Sequence, residues 1–290
     1  MRSKLFVPGA RPELFRKALS SQADVISIDL EDSVPESLKA EARGKVGEFL
    51  QSAEVRSATK LIIVRVNALA SPHFEADVLA VARPGLAMLN LPKPESADDI
   101  RAAVAVIERA EGLNQVAQPV GILANIETPR ALRRAAEIGA AHPRVVGLQL
   151  GYADLFEPLG IDRRDVAAVH ATMFAMRMAA AEAGVFAYDG AFGNVQDPDG
   201  YRAEAEMSHR LGYLGKSCIH PSQIVLANQV FQPGAEDIAF SLRVLAQALK
   251  ADGRQAGAFL VDGRMIDAPF IRRAEMIVAI ARNLGIVTGE

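Results

Sequence analysis

The sequence predicts an eight-stranded β/α barrel, a (β/α)8 TIM-barrel fold, followed by a C-terminal helical and hairpin extension. With 290 residues, half of them hydrophobic, the chain can bury one large core. Short apolar runs rich in β-branched residues alternate with stretches of helical spacing. The runs are apolar throughout, which is typical of parallel strands covered on both faces. An open doubly wound sheet is the competing architecture, but no glycine-rich dinucleotide motif follows the first run.

Eight apolar runs are the candidate strands. They cover residues 5–7, 25–28, 61–66, 86–91, 120–126, 145–150, 185–187 and 215–219. Helix-start signals lie between the runs, at Arg11, Pro35, Ser96, Thr128, Arg163, Asp199 and Pro221. Such short strand-helix-strand connections must be parallel and right-handed. We therefore predict a barrel domain over residues 1–232.

The remaining chain, residues 233–290, lies beyond the eighth strand and helix. Its pattern predicts a helix to about residue 251, a hairpin over residues 259–266 and a last helix from Ala268. Because the barrel is complete without this segment, we expect an extension that covers the mouth of its own barrel or of an adjacent one.

Composition and charge indicate which kinds of binding partner are not expected. The net charge is -3, and Lys and Arg are spread along the chain, whereas binding to nucleic acid or a membrane surface needs a concentrated basic face. No apolar run approaches the roughly 20 residues that span a bilayer, and the first residues lack the core of a signal peptide. The single cysteine, Cys218, fits a reducing compartment. We therefore expect a cytoplasmic protein with no nucleic-acid or membrane partner.

Two acids directly follow predicted strands, where barrels carry their catalytic groups. Glu127 comes after the fifth run and Asp154 after the sixth. Acids at neighbouring strand ends can reach the same ion, and carboxylate oxygens are ligands that suit Mg²⁺. The sequence therefore predicts a divalent-metal site on these two residues, while a helix-capping role remains the alternative for each.

Other charged residues follow the remaining strands, namely Arg11, Glu31, Asp32, Arg65, Lys93 and His220. Arg65 ends a buried run and needs an anionic partner, which makes it a candidate for substrate contact. An amine among carboxylates stays protonated, so Lys93 is expected to pair with one of them and not to form a Schiff base. Capping or bracing roles stay open for Glu31 and Asp32, and a structural role stays open for His220.

Motifs occur in order along nearly the whole chain: RSKLFVPGARPE from Arg2, IDLEDSV from Ile28, VRVN from Val64, LPK from Leu91, IETP from Ile126, GYADL from Gly151, GKSCIHPSQI from Gly215 and GRMIDAP from Gly263. Together these motifs resemble the citrate lyase β-subunit-like family of CoA-ester lyases. That family lies in the wider group of malyl-CoA and citramalyl-CoA lyases and HpcH/HpaI aldolases.

The resemblance implies a set of roles. Glu127 and Asp154 would hold Mg²⁺, and Arg65 would contact the acyl or carboxylate group of the substrate. Asp267 would enter the active site of an adjacent protomer, which implies an oligomer, usually a homotrimer or a multiple of it. The chain departs from the family at Ala153, where many relatives carry a second acid, and this leaves the substrate open.

The implied reaction cleaves a 3-hydroxyacyl-CoA thioester, of the citramalyl-CoA or malyl-CoA type, to acetyl-CoA and a 2-oxo acid. Arg65 would supply positive charge where the enolate oxygen develops. Asp267 would carry the proton to or from the acetyl methyl carbon. Glu31 and Asp32 would hold metal-bound waters, and Lys93 would pair with them.

The coenzyme A contacts are predicted from position. Many barrels bind phosphate near their last strands, so Lys216, Arg11 and Lys4 are candidates for the CoA phosphates, and His220 lies in the same region. Helix packing explains the nearby glycines equally well.

Several other functions remain open. They are a malyl-CoA-type thioesterase, a CoA-independent class II aldolase, a citrate lyase β subunit acting on an acyl-carrier-protein thioester, and a barrel that serves only as a scaffold. Two acids and an arginine gathered in one mouth are costly unless something binds them, which favours an enzyme.

Overall fold

Eight parallel strands form a nearly closed barrel in a computed structural model that describes residues 1–252 and 258–287. The strands are β1 (Ser3–Pro8), β2 (Val25–Asp29), β3 (Leu61–Arg65), β4 (Met88–Leu91), β5 (Gly121–Ile126), β6 (Val145–Leu150), β7 (Phe186–Tyr188) and β8 (Lys216–Cys218). They pair in sequence order from β1 to β7, and β8 pairs with β1. A parallel bridge between Asp189 and Lys216 joins the ends of the sheet. The predicted (β/α)8 barrel is therefore confirmed.

Helices surround the strands. They are α1 (Phe15–Leu19), α2 (Lys39–Leu50), α3 (Ala53–Arg56), α4 (Phe74–Val81), α5 (Ala97–Asn114), α6 (Pro129–Arg133), α7 (Ala135–Gly139), α8 (Tyr152–Phe156), α9 (Val166–Glu182), α10 (Pro198–Arg210) and α11 (Pro221–Val230). Ser96 and Thr128 cap α5 and α6, as their sequence signals predicted. The helix predicted from Arg163 begins instead at Val166, because Asp165 is its cap.

The chain divides into two units, residues 1–231 and residues 232–290. In the second unit, α12 (Ala235–Asp252) is followed by β9 (Phe259–Val261), β10 (Arg264–Ile266) and α13 (Ala268–Asn283). The two strands form an antiparallel hairpin. Its turn residues, Asp262 and Gly263, both have positive φ, as a tight hairpin turn requires. No helix among residues 1–252 and 258–287 is long and apolar enough to cross a membrane.

The interior side chains of the barrel change from apolar to polar toward the C-terminal ends of the strands. Val25, Ile63, Leu123 and Tyr188 form a buried apolar cluster. Because side chains alternate along a strand, the same faces carry polar residues further along. These are Ser27 and Asp29 on β2, Arg65 on β3, and Asn125 with Glu127 on and after β5. The C-terminal ends of the strands therefore form a polar mouth.

A buried ionic cluster lies at the junction of β7 and β8. Lys216 is fully buried, with Nζ 2.7 Å from Asp189 Oδ2 and 2.6 Å from Glu204 Oε1. Burial alone would lower the pKa of Lys216, but the two carboxylates raise it, so the ammonium stays charged. Arg163 donates a second hydrogen bond to Glu204, at 2.7 Å. The expectation that Lys216 contacts a CoA phosphate is not supported, because its charge is enclosed and already paired.

Lys216→Met is expected to lower the free energy of unfolding by about 3–5 kcal/mol, because buried carboxylates would lose their cation. Chemical denaturation measures the change. Lys45→Met on α2 is the matched control, since this lysine is 46% exposed, and its effect is expected to stay within about 0.5 kcal/mol. An unchanged denaturation midpoint for Lys216→Met would contradict a stabilising role.

Candidate active site

A cavity of about 590 Å³ opens at the mouth of the barrel. Its walls include Phe6, Asp29, Asp32, Arg65, Asn125, Glu127, Gln149, Tyr152, Asp154 and Arg163. The two acids predicted to bind metal and the arginine predicted to contact substrate thus share one cavity. Glu31 lies beside it and contacts Arg65.

Glu127 is buried and held by two donors. The backbone N–H of Lys93 donates to Oε2 at 3.2 Å, and Asn125 Nδ2 donates to Oε1 at 3.1 Å. Burial raises the pKa of Glu127 to about 7, and the negative charge of Asp154 adds to the rise while Arg65 opposes it. Gly151 packs directly on this side chain, since a Cβ there would lie 2.3 Å from Glu127 Cγ. The position of Glu127 therefore depends on a residue without a side chain.

The ammonium of Lys93 links two acids of the mouth. Its ammonium lies 3.0 Å from Asp154 Oδ1 and 3.6 Å from Glu31 Oε1. Burial works against the charge, but the hydrogen bond to Asp154 and the charge of Glu31 raise the pKa of Lys93, so it stays protonated. Its φ of 53° is in the left-handed region, which is costly for a lysine and is a kind of strain found at functional sites. The pairing with carboxylates is the one expected from sequence, while a contact of Lys93 with substrate stays a prediction.

Arg65 is braced by three carboxylates. Its Nε and Nη2 donate to Asp29 Oδ1 and Oδ2 at 2.7 and 2.8 Å, and its Nη1 lies 2.8 Å from Glu31 and 3.0 Å from Asp32. Although burial raises the pKa of Asp29, the hydrogen bonds and charge of Arg65 bring it below its ordinary value. The parallel pair with Asp29 fixes the plane of the guanidinium. Arg65 is therefore a positively charged group with a defined orientation at the edge of the cavity.

The pKa values of Glu31 and Asp29 are shifted in opposite directions. Burial raises the pKa of Glu31 to about 7, with Asp32 and Glu127 adding to the rise and Arg65 opposing it. Glu31, Glu127 and Asp154 thus lie near one another, with the Lys93 ammonium between Glu31 and Asp154 and the Arg65 guanidinium against Glu31. The raised pKa values of Glu31 and Glu127 indicate that burial outweighs these cations, a condition that is relieved by protons or by a further cation.

The donor set fits a hard divalent cation held by two protein carboxylates. Among the described residues, no group of three His, Cys, Asp or Glu side chains is placed to hold a metal. Glu127 and Asp154 line the same cavity and would supply two carboxylate ligands, with water or substrate oxygens as the others, an arrangement common for Mg²⁺. The raised pKa of Glu127 agrees with a site that gains from positive charge.

Arg11 and His220 of the first unit do not line the cavity. Arg11 is 60% exposed and pairs with Glu13. His220 is exposed and caps α11 by accepting a hydrogen bond from Ser222 N at 3.2 Å, which is the structural role left open from sequence. Asp267, in the second unit, precedes α13 but makes no side-chain capping bond. Its carboxylate is thus not used for capping, and its entry into another protomer's site stays a prediction.

The cavity residues that were missed from sequence include Asn125, Gln149, Tyr152 and Arg163. Arg163 stacks on the Tyr152 ring, 3.9 Å from its centroid, and Tyr152 OH donates to Asp189 Oδ1 at 3.1 Å. Asn125 and Gln149 had a detectable signal, because each is a polar residue inside an otherwise apolar strand. Tyr152 and Arg163 had none, since their partners are distant in sequence.

This (β/α)8 barrel carries two acids and a braced arginine at the ends of its strands. Barrel enzymes place their active sites at this end, so the protein belongs to that class of enzyme. The chain belongs to the HpcH/HpaI aldolase/citrate lyase family, because the family model matches residues 2–221. The resemblance seen in the sequence motifs is thereby confirmed.

Named relatives span almost the full chain. An L-malyl-CoA/β-methylmalyl-CoA lyase from Cereibacter sphaeroides is 35% identical over 98% of this chain and 95% of its own. A citrate lyase subunit β from Leuconostoc mesenteroides subsp. cremoris is 32% identical over 100% and 96%. The crystal structure of protein CitE from Mycobacterium tuberculosis, in complex with magnesium, acetoacetate and coenzyme A, is 31% identical with a TM-score of 0.75. That match covers 97% of this chain and 100% of the other.

Proposed function

We propose that this protein is a Mg²⁺-dependent carbon-carbon lyase that cleaves a 3-hydroxyacyl-CoA thioester of the malyl-CoA or citramalyl-CoA type to acetyl-CoA and a 2-oxo acid. The observation that carries the proposal is the shared cavity of Glu127, Asp154 and the braced Arg65. The similarity to a malyl-CoA/β-methylmalyl-CoA lyase supports the substrate class. The similarity to a structure containing magnesium and coenzyme A supports the cofactor and the thioester.

The residues of the mouth have complementary tasks in this reaction. Glu127 and Asp154 would hold Mg²⁺, which would supply Lewis-acid chemistry to oxygens of the hydroxy-acid portion. Lys93 and Asn125 keep the two ligands in place through the contacts described above. Arg65, fixed by Asp29, provides positive charge to the enolate oxygen that forms as the carbon-carbon bond breaks. Glu31 and Asp32 order water beside the site.

The proton that completes acetyl-CoA needs a donor, and we assign this step to Asp267. A carboxylic acid can deliver a proton to the methylene carbon of the enolate, and Asp267 has no capping bond that would occupy it. Its assignment to the site of an adjacent protomer implies a homotrimer or a multiple of it, with residues 233–290 covering a barrel mouth. We also propose a cytoplasmic location and a role for Arg11 and His220 near the coenzyme.

The second candidate is a lyase subunit that acts on an acyl-carrier-protein thioester. The full-length similarity to a citrate lyase subunit β favours it. The chemistry at the mouth is the same in both candidates, so the thioester carrier distinguishes them.

A coupled assay of the purified protein tests the proposal. Citramalyl-CoA and malyl-CoA are supplied with Mg²⁺ or with EDTA, and acetyl-CoA, free CoA and 2-oxo acid are quantified. Metal-dependent formation of acetyl-CoA with pyruvate or glyoxylate is expected. Free CoA without a 2-oxo acid would indicate a thioesterase, and turnover confined to a carrier-protein thioester would favour the second candidate.

Mg²⁺ binding is expected to weaken about tenfold between pH 8 and pH 6, because a proton and the metal compete for Glu127. The pKa of this group is about 7 without metal, so its carboxylate is free above pH 7 and protonated below it. Isothermal titration calorimetry at several pH values measures the affinity, with circular dichroism as the control that the fold is retained. An affinity that is constant over this range would contradict the raised pKa.

A further inference from the structure

Lys4 is a buried amine whose hydrogen-bond partner among the described residues is an amide, while the acids Glu127 and Asp29 act on it through their charge alone. Its side chain on β1 is fully buried inside the barrel. The amine lies 4.4 Å from the Phe6 ring centroid and 5.5 Å from that of Tyr188. Burial lowers the pKa of Lys4 well below its ordinary value, the positive charge of Arg65 acts in the same direction, and the two carboxylates offset these effects only in part. An amine kept in such a place at a cost in stability points to a task beyond packing.

Among the residues that the structure describes, the amine has one side-chain hydrogen-bond partner, the amide of Gln149 on β6. Lys4 Nζ donates to Gln149 Oε1, and Gln149 is buried but lines the cavity. The oxygen and nitrogen of a side-chain amide lie in one plane and point in different directions from the same carbon. With Oε1 turned to the amine, Nε2 is the end of the amide left to face the cavity.

The neighbouring strand provides an independent sign that a polar group binds at this floor. Asn125 on β5 is in register with Gln149, is 1% exposed and lines the same cavity. Its Nδ2 donates to Glu127, while its Oδ1 is buried with no hydrogen-bond partner among the described residues. Buried polar atoms are normally paired. An unpaired acceptor beside an amide held in one orientation indicates a floor built for a polar ligand.

We propose that Lys4 is a positioning residue that holds the Gln149 amide with Nε2 toward the cavity, where it donates a hydrogen bond to an oxygen of the hydroxy-acid portion of the substrate. This inference rests on the proposed lyase function and adds a binding residue and its orienting partner to that site. Because the oxygen is bound both before and during bond cleavage, the contact contributes mainly to KM.

Gln149→Leu tests the binding contact. We expect KM for the hydroxyacyl-CoA substrate to rise about tenfold, the equivalent of one hydrogen bond, with kcat changed less than about threefold. Gln149→Met, which keeps the length of the side chain, replaces it if the Leu variant does not fold. An unchanged KM would overturn the proposal. A lowered KM would also overturn it, since it would mean that the amide oxygen faces the anionic substrate.

Lys4→Met tests the positioning role. KM is expected to rise by several-fold, up to about tenfold, and the double variant Lys4→Met/Gln149→Leu is expected to resemble Gln149→Leu alone, because Lys4 acts through Gln149. If the effects of the two substitutions on KM multiply instead, Lys4 contributes to KM independently of Gln149. The proposed positioning role of Lys4 would then be wrong.

Stability separates this effect from damage to the fold. Replacing a buried amine that is not hydrogen-bonded to an acid by an apolar side chain of similar length is expected to leave Tm unchanged or raised, while KM rises. Lys45→Met is the matched control, since Lys45 is an exposed lysine on α2; its kinetics are expected to equal those of the wild type.

A binding measurement keeps this inference distinct from the proposed function. Pyruvate and glyoxylate are titrated with Mg²⁺ into the wild type and into Gln149→Leu. An active wild type whose KM and 2-oxo-acid affinity are insensitive to Gln149→Leu would overturn this inference alone. A wild type that neither turns over the thioesters nor binds either acid would overturn both.

Discussion

Glu127→Gln is expected to reduce kcat/KM by about 1,000-fold or more, because a charged ligand of the catalytic metal worth several kcal/mol is lost. The variant keeps the size of the side chain and its contact with Gly151, so the change is in charge and in one of the two acceptor oxygens that Lys93 N–H and Asn125 Nδ2 use. The same assay that tests the lyase measures the loss, and calorimetry is expected to show no Mg²⁺ binding.

The same variant is expected to be more stable than the wild type in EDTA at pH 8. The folded-state pKa of Glu127 is raised from 4.5 to about 7, so the ionised carboxylate costs stability above pH 7, and the cost disappears below pH 4.5. The difference corresponds to at most roughly 3 kcal/mol in favour of Glu127→Gln. An inactive but more stable protein excludes misfolding as the cause.

Glu48→Gln is the matched control for this experiment. Glu48 is on α2 with a side chain that is 73% exposed, so neither activity nor stability is expected to change. If Glu127→Gln retained wild-type activity and Mg²⁺ affinity, Glu127 would not be a metal ligand. The assignment of the site to these acids would then fail.

Arg65→Lys is expected to lower kcat by about 100- to 1,000-fold, the usual loss when a donor to a developing oxyanion is removed. Lysine keeps the positive charge but cannot make the two parallel hydrogen bonds that Arg65 makes to Asp29. The charge remains while its fixed position is lost. Because the enolate exists only late in the reaction, KM is expected to change much less than kcat.

Steady-state kinetics with citramalyl-CoA and malyl-CoA show whether the substitution changes kcat or KM. Arg101→Lys, at a 55% exposed position of α5, is the control and is expected to match the wild type. An Arg65→Lys variant with raised KM and normal kcat would contradict the enolate role. It would show that Arg65 binds a group of the substrate that is charged throughout, such as a carboxylate.

The order of the strands and helices was predictable because its signals are local. Apolar runs and capping residues such as Ser96 and Thr128 lie within the elements that they define. The two acids of the proposed metal site were predictable for a related reason. Each directly follows a strand, and in a parallel barrel all strand ends meet at one mouth.

The two interior lysines show where this reasoning stops. Lys4 and Lys216 both occur in short apolar segments, and sequence assigned both to coenzyme phosphates. Lys216 is instead paired with Asp189 and Glu204, which lie 27 and 12 residues away, and Lys4 binds Gln149, 145 residues away. Whether a strand residue points into or out of the barrel also changes if the predicted strand boundary is wrong by one residue. Local sequence patterns do not reveal such distant partners. The closed barrel determines which side chains meet.

Gly151 constrains how this enzyme can diversify. Its missing side chain makes room for Glu127, so a mutation there alters the position of the proposed ligand although position 151 has no chemical group of its own. Neighbouring Ala153 lines the same cavity without any described contact to Glu127. Over evolutionary time, changes in substrate preference are open to residues like Ala153, whereas Gly151 is tied to the chemistry that all such substrates share.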